Sequence, residues 1–168
     1  MDESAWEWWQ FDEARLEREQ REVLQAFPDL EWLDIGPGGW EGELPIWPFE
    51  RVRPTGLLMA QAGLRIRLEY PESYPMSPPA IVPLDPSPGF EKRTLHKWHV
   101  NGDGSLCLLQ TASLWDGRHT ARDLLLKAAG WRIEFELVGA EMLESMTVNG
   151  IVTDSSVDST VSQWVPRA

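Results

Sequence analysis

The sequence predicts an α+β domain in which helices flank one antiparallel sheet. Three observations carry that expectation. Residues 64–70, LRIRLEY, alternate apolar and charged side chains with the period of a half-buried antiparallel strand. Segments near 11–27 and from Thr120 onward repeat apolar residues at three- and four-residue steps, the spacing of helices. Between them, residues 71–90 hold seven of the 13 prolines, which bars that stretch from a helix interior or a central strand.

Taken in order, residues 1–11 form an acidic, aromatic extension, 12–148 the main domain and 149–168 a tail with no firm predicted structure. The first helix places Leu16, Val23, Leu24 and Phe27 on one face, and Pro28 ends it. Arg15, Arg18 and Arg21 form a basic ridge on another face, interleaved with glutamates. LEWLDI (30–35) predicts the first strand, followed by the turn signal GPGG (36–39). AIVPL (80–84) suits a short edge strand, and 85–118 reads as a long, mostly irregular loop of the kind that carries function. Thr120 with Asp123 predicts a capping box. The last helix then runs Leu124, Ala128, Trp131, Phe135, Val138, Met142 and Met146 along one stripe, with Gly130 and Gly139 as its weak points.

Composition narrows the function. The 168 residues suit one domain with short extensions, and the formal net charge of −12 disfavours nucleic acid and acidic membrane surfaces as partners. No apolar run approaches the ~20 residues that span a bilayer, and the N-terminus lacks the pattern of a signal peptide. One cysteine excludes an internal disulfide and a zinc site built on several thiolates, and a lone free thiol suits a reducing, cytoplasmic setting. The spacing of His96, His99 and His119 matches no metal-ligand pattern, so neither metal nor cofactor is expected. Trp6, Trp8 and Trp9 crowd the N-terminus without a periodicity that would bury all three, which makes them candidates for packing on the domain or docking a partner.

Three stretches resemble the ubiquitin-conjugating (E2) family. Tyr70-Pro71-Glu72-Ser73-Tyr74-Pro75-Met76-Ser77-Pro78-Pro79 is similar to the family's proline-rich segment after its third strand. Gly104-Ser105-Leu106-Cys107-Leu108 is similar to its active-site strip, and Trp115 matches a Trp often found eight residues beyond the Cys. The resemblance covers about residues 60–130, and more loosely 12–147. It implies a fold with an N-terminal helix, a four-stranded antiparallel meander, a Cys-bearing loop and a long C-terminal helix. It also implies an activity: Cys107 would carry the C-terminus of a ubiquitin-like or signalling protein as a thioester and pass it to a target amine. The implied partners are an activating enzyme, the modifier and a protein target. Arg15, Arg18 and Arg21 would dock the activating enzyme. Asp116 and His119, beside Trp115, would lie near the site where the amine is recognised. The family's His-Pro-Asn triplet is missing: the position eight before Cys107 is His99, preceded by Lys97 and Trp98. The chain is also expected to lack two further C-terminal helices. Both departures are similar to divergent bacterial members from ubiquitin-like conjugation and antiphage operons. A non-catalytic binding scaffold is the alternative that the lost triplet favours.

The chemistry suits the residues. A thiolate is both a nucleophile and a good leaving group, which an acyl carrier needs. Gly104 and Ser105 are small enough to let an extended tail approach. Amine attack on a thioester builds negative charge on oxygen, and His99 could donate to it, accept the amine's proton or lower the thiol pKa. His96 and Asn101 are the other local polar candidates. Cys107 with His99 or His119 could also serve a cysteine hydrolase, which would release product without an amine acceptor.

Overall fold

The computed structural model describes residues 6–110 and 114–167. Among the described residues the helices and strands keep the predicted order, with a short helix added at each end. They are α1 (Trp8–Phe11), α2 (Glu13–Ala26), β1 (Glu31–Leu33), β2 (Gly39–Leu44), β3 (Leu64–Glu69), β4 (Ala80–Asp85), α3 (Ala121–Gly139) and α4 (Asp158–Gln163). The strands form one antiparallel sheet in the order β1-β2-β3-β4, a simple meander. This α+β arrangement is compatible with the fold that the resemblance implies.

The alternation in β3 does what its period predicts. Leu64, Ile66 and Leu68 are buried, while Arg65, Arg67 and Glu69 face outward. Each such apolar side chain contributes about 1.5–3 kcal/mol by leaving water. On the outer face Arg65 and Arg67 both reach Glu41 of β2. The strand AIVPL becomes β4 at the sheet edge, where Pro83 needs no ladder donor on its outer side.

The helices differ from the sequence reading in three places. Leu24 is 42% exposed; Leu16, Val23 and Phe27 (the last just past the end of α2) do meet the core, and Glu19 joins them there. Thr120 does begin α3, but its hydroxyl donates to Glu22 Oε2 at 2.8 Å rather than capping its own helix. The cap comes from α2, whose Glu19 Oε2 accepts from the Ala121 amide at 3.0 Å. Finally, α3 stops at Gly139, because the backbone turns at Glu141 with φ 58°. Met142 and Met146 therefore leave the helical stripe. Met146 is buried by a returning loop whose amide donates to Lys97 O.

The two ends of the chain join the core. Trp8 of α1 is 3% exposed, packs against Trp32, Tyr70 and Tyr74, and donates from Nε1 to Pro37 O at 2.7 Å. Trp6 stays exposed. From the predicted tail, Ile151, Val157, Val161 and Trp164 are buried, and Arg51 holds α4 through a bidentate bond to Asp158 at 2.8 and 2.9 Å. Gly130 sits where Ile151 crosses α3, with 3.2 Å between an added Cβ and the Ile151 side chain. Tail and sheet together enclose α3, which is why most of its residues are buried rather than one stripe.

Candidate active site

The Cys strip is held by a short turn. Val100 and Leu106 form an antiparallel bridge, and the Cys107 amide donates to His99 O at 2.8 Å. Asp103 Oδ1 accepts from the amide and hydroxyl of Ser105 at 2.9 and 2.6 Å, the self-bonding turn that Asp favours. Those bonds hold the Asp103 carboxyl below its ordinary pKa. Gly104 has φ +89°, a backbone conformation that strains any residue with a Cβ, so glycine suits this turn. The Leu106 amide then donates to Ile81 O, which fastens the strip to β4. A local turn signal thus becomes a fixed seat for the thiol.

Cys107 is exposed, and the only hydrogen bond of its thiol among the described residues is a long one of 3.9 Å to Leu109 O. It lines a cleft of about 510 Å³ together with His96, His99, Asn101, Lys127, Trp131 and Glu134. Lys127, Trp131 and Glu134 follow one another along one face of α3, and residues 146–150 close the far side.

The structure brings three predicted residues into this cleft: Cys107, His99 and Asn101. His99 is half-buried, in a left-handed conformation with φ 49°, and its ring lies 5.4 Å from that of His96. Burial lowers its pKa, and the neighbouring His96 adds to the effect. That shift favours the neutral ring, which keeps one N–H to donate. Asn101 spends its amide on Ser105 Oγ at 3.0 Å, so it braces the turn.

The other predicted residues lie outside the cleft lining. Trp115 is buried, donates to Pro75 O at 3.0 Å and packs near Tyr74. Asp116 is held down to about 2 by Arg118, whose guanidinium and amide both bond its carboxylate, and His119 sits 3.2 Å from it. Arg15 and Arg18 do not form a free ridge. They donate to the carbonyls of Gly117 and Arg118 at 2.7 and 2.6 Å and so hold this loop against α2. Arg21 is the exposed member of the three, with no ion pair among the described residues.

One cleft residue had escaped the sequence reading. Glu134 is 2% exposed, and its Oε1 accepts from the Thr147 amide at 2.8 Å. Burial raises its pKa, Thr147 pulls it back and Asp154 adds to the rise. The signal was available: Glu134 follows Trp131 by three residues, inside the apolar arc of α3. Among the described residues no group of His, Cys, Asp or Glu is arranged to hold a metal ion.

No family model matches the chain. Over 101 residues it is 27% identical to a protein described as "Probable ubiquitin-conjugating enzyme E2 16" from Arabidopsis thaliana. The match covers 58% of this chain and 58% of the plant protein's length. This distant similarity agrees with the resemblance drawn from the proline segment and the Cys strip. No described helix is long and apolar enough to cross a membrane.

Proposed function

We propose that this protein is an E2-like transferase that carries the C-terminus of a ubiquitin-like protein as a thioester on Cys107 and passes it to a target amine. The observation that carries this reading is the seat of Cys107: an exposed thiol at the mouth of a cleft, on a turn fastened to β4. In the transfer, the thiolate attacks the activated carboxyl, and the amine later displaces it. Neutral His99 is suited to donate to the oxygen that becomes negative, taking the place of the missing triplet's Asn. Arg21 is the residue we assign to docking the activating enzyme, since Arg15 and Arg18 are engaged with the 117–118 carbonyls. The absent triplet supports a divergent modifier system of the bacterial conjugation or antiphage kind.

The test is to incubate the protein with an activating enzyme, a candidate modifier and ATP, then run a non-reducing gel. A slower band that reductant removes is expected. Cys107→Ala should abolish it, and Cys107→Ser should leave a reductant-resistant ester. If a demonstrably charged activating enzyme yields no adduct, the transferase reading fails and the binding scaffold, favoured by the lost triplet, takes its place.

A further inference from the structure

The Cys107 cleft contains a carboxylate that folding places there at a cost. A buried carboxylate loses its hydration and is normally surrounded by donors that replace it. Glu134 has one, the Thr147 amide on Oε1. Its second oxygen has no protein donor among the described residues, and the residue lines the same cleft as the thiol. The Thr147 hydroxyl is buried beside it, close enough to lower the Glu134 pKa but without a well-formed hydrogen bond. A group so placed has a bond to give to whatever enters.

We propose that Glu134 is the proton acceptor of the transfer step, contacting the acceptor amine in the Cys107 cleft. The inference rests on the thioester reading above. The amine nitrogen forms a bond to the thioester carbonyl carbon, and the C–S bond breaks with its electron pair leaving on the Cys107 sulfur. The nitrogen's surplus proton goes to the Glu134 carboxylate, giving an amide, a thiolate and a carboxylic acid. His99 is then left to donate its ring N–H to the oxygen.

The surroundings suit this role. Lys127 on the same helix face, and His96 and His99 on the opposing loop, are the cleft groups that are or can become cationic. Asp154 is the anion that opposes ionisation, and its charge together with burial makes Glu134 a stronger base than an exposed glutamate. A lysine amine has an ordinary pKa near ~10.4, so a base of raised pKa held beside it is useful at neutral pH. The cleft wall is apolar where Val100, Trp131 and Met146 line it, which suits the methylene stem of a lysine.

The experiment is a single-round discharge assay. Wild type and Glu134→Gln are charged by the activating enzyme, ATP is quenched, and free lysine or hydroxylamine is added. Hydroxylamine is mostly unprotonated at neutral pH, and the adduct of its weakly basic nitrogen is acidic enough to give the surplus proton to water, so it depends far less on a protein base. Equal charging is expected, with lysine discharge slowed about 10²-fold in Glu134→Gln and hydroxylamine discharge unchanged. The lysine rate of the wild type should rise with pH through one inflection that Glu134→Gln lacks. Glu134→Asp, which keeps the carboxylate, should recover part of the rate and the inflection. Lysine discharge at the wild-type rate in Glu134→Gln overturns the proposal. Equal losses with both nucleophiles overturn it too, because they mark a structural role. A wild type that never charges removes the thioester reading itself, and this inference with it.

Discussion

Glu19 and Glu134 are both glutamates on helices, both inside an apolar arc, and both within 2% of complete burial. They are treated oppositely. Glu19 accepts from Tyr70 Oη at 2.8 Å, from Tyr74 Oη, and from the Ala121 amide at 3.0 Å. The first of these hydroxyls accepts in turn from Trp40 Nε1, so its proton must point at the carboxylate. Arg15 stands over the Tyr74 ring. Burial raises the pKa of Glu19, and these donors pull it back. The same carboxylate raises the pKa of both tyrosines, after burial itself. Glu134 draws on one residue, Thr147, and borders a cleft. A buried acid with its donors complete is a joint between elements. One with fewer donors, in the wall of a cleft that a nucleophile also lines, is a candidate for chemistry.

Substitution separates the two. Replacing Glu19 by Ala strands two buried hydroxyls and the first amide of α3, at ~1–3 kcal/mol for each group that finds no substitute. We expect a loss of about 4 kcal/mol, read as a fall in Tm of roughly 10 °C. Glu19→Gln should keep most of the stability. Its oxygen can take the bonds from Tyr70 and Ala121, while its amide donates to the Tyr74 oxygen. A large loss in Glu19→Gln would show that the ionised form itself is required there.

Arg15→Ala sharpens the same side of the comparison. It removes the cation beside Glu19 and the bond to Gly117 O. A loss of about 1 kcal/mol is expected, with faster hydrogen exchange at amides 116–120 and unchanged exchange in β3. Uniform acceleration would mean that Arg15 supports the whole domain rather than this joint.

The smallest effect is one of sign. The Glu134 pKa is raised in the folded state, so the folded protein binds more protons than the unfolded chain between the ordinary and the raised value. Stability from this group is complete below the ordinary glutamate range, falls as pH rises through that window, and is level above it. Glu134→Gln has no such loss. Its Tm relative to wild type should climb from acid toward neutral pH and then plateau. A difference that stays constant with pH would remove Glu134 from the titrating groups.

Much of the frame was legible because it is local. The alternation of 64–69 encodes a face, the prolines of 71–90 encode where no helix or central strand can run, and Asp103-Gly104 encodes the turn that seats Cys107. The candidate site is local in the same sense. Cys107, His99 and Asn101 lie within one strip, and the structure keeps them on one cleft. Trp115, Asp116 and His119 are as close in sequence but fall on the far side of the loop, toward α2.

What the sequence determined by itself was the alternation, the turn chemistry and the identity of the one thiol, since each depends on neighbours a few residues away. Tertiary structure alone decided which charged side chains would be buried and with what company. The donors of Glu19 come from 51, 55 and 102 residues away in the chain. The other wall of the Glu134 cleft comes from the loop of His96 and His99 and from the returning segment at 146–150. A helical stripe states which face turns inward. Whether a glutamate on that face meets three donors or an open cleft depends on segments that only folding brings together.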